Sequence, residues 1–289
     1  MSQFIDFRFT VTNNPGHRLD QILAECTDLS RRKVRRAIDN GGVYVDRKRC
    51  RKAGLICKTG AKLRLVMLEN ERLEPLTVEQ IIWQKDSLAL IHKRAGQYAQ
   101  EALHRSNGTI PTELGGLLEL PHTQAKQVRP VHRLDRGTSG LMLLSWQARL
   151  LNHLQECWAD SIDKEYLAVV SPVPEWRQRR IQLPIGKVRD AAGRYAVDQE
   201  NGRACDTEAE VLETRQNRAL LKLVPHTGRT HQLRIHLAHI GHPILGDNRY
   251  GGAAHVRMML HAHRLCLHPP ALPTKMDWIV NPDEEDWKW

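Results

Sequence analysis

The apolar positions of the first part of the chain come in short helical and alternating runs. Leu19, Ile22 and Leu23 fall on one face and predict a short amphipathic helix. A second helix is predicted to begin after Ser30, a residue suited to an N-cap, and to end at Gly41-Gly42. Val34, Ala37 and Ile38 form its apolar side, which leaves Arg31, Arg32, Lys33, Arg35 and Arg36 around the remaining faces. Val43-Tyr44-Val45 alternates as a strand, Arg47-Lys48-Arg49 forms a basic turn, and Lys62 to Val66 reads as a returning strand. Charge and a proline interrupt the pattern from Glu69 to Pro75. The expected division is a small basic domain at 14–68, a linker at 69–79 and a large domain at 80–289.

In the large domain, strand-like runs at Gln80 to Trp83 and Ser87 to His92 are broken by Lys85-Asp86. The stretch from Gly108 to Gly116 is turn-rich, and nothing in 94–129 suggests a role. Leu141 to Ser145 reads as a buried strand, and Leu150, Leu151, Leu154 and Trp158 follow at helical spacing. Further strands are expected at Tyr166 to Val170, Asp206 to Leu212, Leu220 to Val224 and Leu260 to Leu267, with a helix at Thr230 to His239. Strands and helices mix without strict alternation. The expected class is α+β, a mixed and largely antiparallel sheet with a small N-terminal α/β domain.

Composition sharpens this division. Of the formal charge of +10, +9 lies between His17 and Arg64, where 14 Lys and Arg face five Asp and Glu. The remaining 29 basic and 28 acidic residues nearly cancel. A basic module on a neutral body suggests one part that grips a polyanion, with Arg31, Arg32, Lys33, Arg35, Arg36, Arg47, Lys48 and Arg49 as RNA-binding candidates. Few acids interleave with these bases, which argues against an ordinary solvated helix face. The start MSQFIDFRFT has no apolar export segment, and no run approaches the roughly 18 apolar residues of a spanning helix. Six cysteines form no CxxC pair, as expected of reduced thiols in a cytoplasmic protein.

Candidate chemistry sits in two stretches. His132-Arg133-Leu134-Asp135-Arg136-Gly137-Thr138-Ser139-Gly140 places one carboxylate among bases, hydroxyls and glycines directly before an apolar strand. Its arginine neighbours would keep Asp135 ionised, and the glycines would let the backbone approach a ligand. A polar loop whose Asp caps a turn is the plainer alternative. The same four letters, His-Arg-Leu-Asp, occur at 17–20, but there they lead into a helix, so Asp20 is read as a helix-start residue held by the dipole. The second stretch runs from His226 to Leu237 and on through Gly241-His242-Pro243-Ile244-Leu245-Gly246-Asp247. A helix from Thr230 would turn His231 and Arg234 to one side, where Arg234 could meet a carboxylate; a solvated surface arginine is the alternative. His231, His236, His239 and His242 are crowded but lack HExxH or zinc-ribbon spacing, so no metal is expected.

Residues 17–68, with Arg18-Leu19-Asp20 at their start, resemble the small RNA-binding domain first described in a small-subunit ribosomal protein. Val131 to Leu144, Asp163 to Val169 and Thr227 to Gly251 together resemble the RluA family of pseudouridine synthases, over essentially all of 80–270. That resemblance implies an RNA pseudouridine synthase, an isomerase that extrudes a base to act on it. It implies Asp135 as catalytic aspartate, Tyr166 as the aromatic residue stacking on uracil, and Arg234 as the ion-pair partner of the aspartate. Arg133 would fill the space left by the flipped nucleotide, and His132, Thr138 and Leu233 are counted with it as substrate-binding. His92-Lys93-Arg94 departs from the family's usual Asn-Lys-Pro. The chemistry requires breaking N1–C1′, turning the base, rejoining it through C5 and removing the C5 proton. No redox or phosphoryl step occurs, so no cofactor is expected. The expected substrate is large-subunit (23S) ribosomal RNA, and the expected state a monomer free of membranes. Transfer RNA is the alternative substrate, and a non-catalytic RNA-binding or ribosome-assembly protein the alternative function; a metal-dependent hydrolase ranks third.

Overall fold

The computed structural model describes residues 4–12, 16–69, 71, 73–188 and 194–289. The chain forms two compact units, Met1–Pro75 with Gln100–Glu113, and Leu76–Ala99 with Leu114–Trp289.

The first unit runs β1 (Phe4–Thr10), α1 (Leu19–Glu25), α2 (Arg31–Asn40), β2 (Val43–Val45), β3 (Lys48–Arg49) and β4 (Lys62–Leu68). Its strands form one antiparallel sheet in the order β1-β4-β2-β3. Ser30 caps α2 by accepting the Lys33 amide at 3.3 Å, and Gly41, at φ 84°, ends it in a left-handed turn that suits glycine. Asp46 and Arg47, both at positive φ, make the two-residue turn between β2 and β3. The core joins Leu19, Ile22 and Leu23 of α1 and Val34, Ala37 and Ile38 of α2 to Val43, Leu63 and Leu65 of the sheet.

This unit is larger than the expected 14–68. Strand β1 pairs along the whole length of β4, and Ile5 and Phe9 pack against the core. Residues 100–113 also belong to it: Tyr44 donates its hydroxyl to the Leu103 carbonyl at 2.9 Å, and Asn107 its amide to the Asp39 carbonyl at 2.8 Å. Part of the expected linker is therefore structural. Glu71 is buried and holds Arg105 at 2.7 Å. Asn70 and Arg72 lie outside the described residues.

The second unit carries β5 (Ile81–Lys85), β6 (Leu88–Lys93), β7 (Arg129–Pro130), β8 (Ser139–Ser145), β9 (Ile162–Val170), β10 (Gln178–Ile181), β11 (Ile185–Lys187), β12 (Tyr195–Val197), β13 (Thr207–Arg215), β14 (Arg218–Pro225), β15 (Leu260–Leu267) and β16 (Met276–Ile279). Its helices are α3 (Ile110–Leu117), which starts in the first unit, α4 (His122–Ala125), α5 (Ala148–Glu156) and α6 (Gln232–His239). The main sheet follows β10-β13-β14-β9-β15-β8-β6-β5, with β16 beside β15 and β7 beside β8. Among the described residues only the short β15–β8 pairing is parallel, so this is an α+β fold on a mixed, largely antiparallel sheet. Helix α3 occupies part of the stretch expected to be turn-rich, and Gly115 within it has no room for a side chain, since a Cβ would lie 2.8 Å from that of Ala125.

Strand β8 explains how the site is held. All seven of its residues are buried, and Leu141, Met142, Leu143 and Leu144 are each at most 1% exposed. Burial of such a side chain contributes about 2 kcal/mol. Gly140, at φ 114°, lies so close to β15 that a Cβ would stand 2.2 Å from the Ala262 carbonyl oxygen. The loop carrying Asp135 is thus anchored at its exit by a strand that cannot shift cheaply.

Candidate active site

In the second unit, the loop before β8, strand β9 and the start of α6 line a cavity of about 420 Å³, within the range of small-ligand sites. Asp135, Tyr166 and Arg234, distant in sequence, all face it. Arg234 Nη1 donates to Asp135 Oδ2 at 2.7 Å, a charge-assisted bond in a partly buried place. Burial works against the guanidinium charge, but Asp247 and Asp135 outweigh it and raise the arginine further above its ordinary range. Asp135 Oδ1 carries no hydrogen bond among the described residues, and His231 Nε2 stands 3.7 Å from it. Tyr166 sits on the same wall; burial, then the nearby Asp135 charge, push its hydroxyl well above the ordinary phenol range, so it is neutral at pH 7.

The local sequence explains why the loop takes this shape. The Thr138 amide donates to the Asp135 carbonyl at 3.1 Å, closing a turn around Gly137. Lys93, fully buried at the end of β6, donates its ammonium to the carbonyls of Arg94, Arg136 and Thr138 at 3.1, 3.1 and 2.6 Å. Here the His92-Lys93-Arg94 departure acquires a physical meaning. The Arg94 amide donates to Gln97 Oε1 at 2.8 Å, a bond that a proline could not make.

The arginine neighbours of Asp135 do not act as expected. Arg136 turns away, its Nε on the Gly96 carbonyl at 3.0 Å and its guanidinium 4.8 Å from the Tyr98 ring centre. Arg133 is exposed at the cavity and makes no hydrogen bond or ion pair among the described residues. The charge that faces the carboxylate comes instead from Arg234, on α6.

His132, Thr138 and Leu233 also line the cavity, but each is partly committed to the scaffold. His132 Nε2 accepts the Leu143 amide at 3.1 Å and its ring stacks on Trp158 at 4.5 Å, so it presents a ring face and no free ring nitrogen on that side. Burial lowers its pKa to about 3. Thr138 and Leu233 are buried, and Leu233 packs in the core. Lys164 lines the same wall although sequence reasoning gave it no role. Its position two residues before Tyr166 on β9 was the available signal, because alternate strand residues share a face.

Helix α6 begins at Gln232 rather than Thr230, because His231 adopts a left-handed conformation at φ 57°. Gln232 fixes that start: its Oε1 accepts from Thr227 Oγ1 and the Arg229 amide at 2.7 and 3.1 Å. The crowded histidines serve different ends. His236 is bound to Thr207 and to the Leu183 carbonyl, and His242 to the Pro172 carbonyl. Among the described residues, the one grouping with metal-ligand spacing is Asp163, Cys266 and His268, where His268 is already bonded to Asp163 at 2.6 Å.

In the first unit, Arg31, Arg32, Arg35 and Arg36 line a concave basic surface with Asp39. Asp20 is fully buried and accepts from Arg18, Arg31 and Arg35 at 3.1, 3.2 and 2.8 Å. Burial opposes its charge, but those guanidinium groups hold it well below the usual carboxylate range. It lies in the first turn of α1, as expected, and it is in addition an anchor for three arginines. Arg31 and Arg35 remain about half exposed, with side-chain accessibility of 51% each. Lys33 pairs with Glu69 at 2.7 Å, while Arg47 and Lys48 are exposed. Arg49 departs from the expected RNA-binding set: it turns inward to the carbonyls of Gly41 and Ala102 and over the Tyr44 ring.

Comparison with known proteins agrees with both units. Residues 87–239 match the RNA pseudouridylate synthase family, and residues 17–63 match the S4 domain. An uncharacterized RNA pseudouridine synthase of Synechocystis sp. is 33% identical over 88% of this chain and 82% of its own. Ribosomal large subunit pseudouridine synthase D of Pseudomonas aeruginosa is 30% identical over 95% and 91%, and synthase C of Vibrio vulnificus 28% over 91% and 88%. The solved structure of human RNA pseudouridylate synthase domain containing 1 is 26% identical, with a TM-score of 0.58, over 73% of this chain and 86% of that one. A family match over more than half of the chain, an S4 domain before it and relatives at 30% identity or more along most of its length place the chain in the RluA family of RNA pseudouridine synthases.

Proposed function

We propose that this isomerase converts uridines of large-subunit ribosomal RNA, with Asp135 as its catalytic carboxylate. The observation that carries the catalytic assignment is the 2.7 Å pair between Asp135 and Arg234 at a cavity that also holds the Tyr166 ring. Asp135 acts on the extruded uridine through Oδ1, while Arg234 holds Oδ2. The N1–C1′ bond breaks, the detached base turns against Tyr166, and C5 bonds to C1′. The C5 proton leaves and N1 gains one, so product and substrate are isomers and no oxidant or reductant is consumed. Arg133, exposed at the cavity and without an ion pair among the described residues, fills the gap in the RNA stack. His132, Thr138 and Leu233 shape the wall against which the base turns. Arg31, Arg32, Arg35 and Arg36 take the phosphates of flanking RNA, with Lys33, Arg47 and Lys48 beside them.

Two near-full-length relatives named for the large ribosomal subunit support that substrate over transfer RNA. On this reading the enzyme works as a monomer in the cytoplasm. The substrate reading is tested by mixing equal amounts of unmodified large-subunit and transfer RNA and following pseudouridine in each. Preferential modification of the ribosomal transcript supports it, and preferential modification of transfer RNA refutes it.

A further inference from the structure

The stretch that ends at Asp247 is not absorbed by the chemistry above, yet it touches Arg234 more extensively than Asp135 does. Asp247 accepts from Arg234 twice, Nε to Oδ2 at 2.7 Å and Nη2 to Oδ1 at 2.9 Å. That leaves Nη1 for Asp135. Asp247 is 2% exposed and does not line the cavity, so it cannot touch a bound base.

The chain winds tightly to place this carboxylate. The Asp247 amide donates to the Ile244 carbonyl at 3.0 Å, and the amides of Tyr250 and Gly252 return to the Asp247 carbonyl at 3.1 and 2.9 Å. Gly246 sits at φ 79°, with an added Cβ 1.9 Å from the Arg257 carbonyl oxygen, and at Gly252 it would lie 2.0 Å from that of Ile244. Both glycines are needed for the turn to close. From the same turn, Tyr250 lays its ring 5.0 Å from the Arg234 guanidinium and bonds His231 Nδ1 at 2.7 Å through its hydroxyl.

A guanidinium has two edges able to clasp a carboxylate with paired parallel bonds. Without Asp247, Arg234 would be able to turn an edge to Asp135 and clasp it with both bonds of that edge, tying up Oδ1, the oxygen left for reaction. We propose that Asp247 is a positioning residue for the isomerisation, holding one edge of Arg234 so that only Nη1 reaches Asp135 and Oδ1 stays free. This inference rests on the reading of Asp135 as the catalytic carboxylate.

The test is a double-mutant cycle in full-length protein on a ribosomal RNA transcript, measuring kcat, KM, RNA affinity and thermal midpoint. The variants are Asp247→Asn, Arg234→Lys and the two combined. Misplacing a catalytic partner by about an ångström costs on the order of 100-fold, so Asp247→Asn is expected to lower kcat by about that factor, with KM and RNA affinity within about twofold. Because Asp247 acts through Arg234, adding its substitution to Arg234→Lys is expected to cost less than about threefold further. Independent, multiplying losses would overturn the proposal, as would an unchanged kcat in Asp247→Asn. Asp247→Glu, which keeps the buried charge paired but displaces the fork, covers the case in which the asparagine variant fails to fold. Its kcat is expected to drop about tenfold at unchanged KM, and full activity would overturn the proposal too. Asp135→Asn is run alongside: turnover there would remove the underlying reading, whereas an active Asp247→Asn beside an inactive Asp135→Asn would remove only this one.

Discussion

At the scale of single residues, the site separates groups that act by shape from groups that act by charge. Tyr166 belongs to the first kind, because burial keeps its hydroxyl protonated across the working pH range. Its ring should matter more than its oxygen. Stacking of a base on an aromatic side chain contributes about 1–3 kcal/mol, so Tyr166→Ala is expected to weaken productive binding by roughly 10- to 100-fold. Tyr166→Phe should retain most of that binding, and single-turnover kinetics on the same RNA distinguish the two. Histidines set the pH response of the fold. Burial lowers His132 and His261 to about 3, and His231 to about 4 against the opposing pull of Asp135. Near pH 7 all three are neutral in both folded and unfolded chains. As pH falls below about 6.5 the unfolded chain binds protons that the folded chain refuses, so stability is lost from there down towards pH 4 and 3. Each histidine contributes a slope of about 1.4 kcal/mol per pH unit in that window. Urea midpoints between pH 7.5 and 5 should fall accordingly, and His132→Gln should flatten the curve; an unchanged slope in that variant contradicts the assignment.

At the scale of elements, the loop that carries Asp135 depends on a lysine that does not line the cavity. Lys93→Met removes a buried ammonium bound to three backbone carbonyls and leaves them without those bonds. A loss of about 3 kcal/mol in stability is expected, together with a reduced kcat, because the carbonyls of Arg136 and Thr138 flank the turn that begins at Asp135. Denaturant melts and turnover on one preparation test this. The elements themselves were largely legible: Ser30 as a cap, Gly41 as a stop and the apolar run before Ser145 all appear where the pattern put them. Less legible was what depends on long-range packing. Asp20 reads as a helix-start residue, and only folding brings Arg31 and Arg35 to it. Arg136 reads as a partner for Asp135, yet the Gly96 carbonyl and the Tyr98 ring draw it away. Strand β1 does carry a signal, the alternation in Phe4-Ile5-Asp6-Phe7-Arg8-Phe9, although it lies outside the expected small domain. His231 could not be foreseen as a left-handed residue, because that conformation is imposed by Gln232 bonding back to Thr227 and Arg229.

At the scale of the whole molecule, the charge asymmetry predicts how the protein holds RNA. Removing the N-terminal 70 residues is a poor test, because 100–113 belong to the same unit and would lose the surface they pack on. Replacing Arg32 and Arg36, which line the basic surface without joining the Asp20 cluster, avoids this. Affinity for long RNA is expected to fall while turnover on saturating RNA persists. The slope of log affinity against log salt should drop by about 0.7 for each single-strand phosphate that is no longer neutralised. An unchanged slope would show that the phosphates lie elsewhere. The central claim is that Asp135 performs the isomerisation, and the most direct measurement compares native protein with Asp135→Asn. Each is incubated with unmodified ribosomal and transfer RNA, and pseudouridine is mapped by chemical labelling and primer extension. The account predicts new sites with the native chain and none with the variant, a loss of at least about 1,000-fold at unchanged RNA affinity. Equal modification by the two proteins would contradict it.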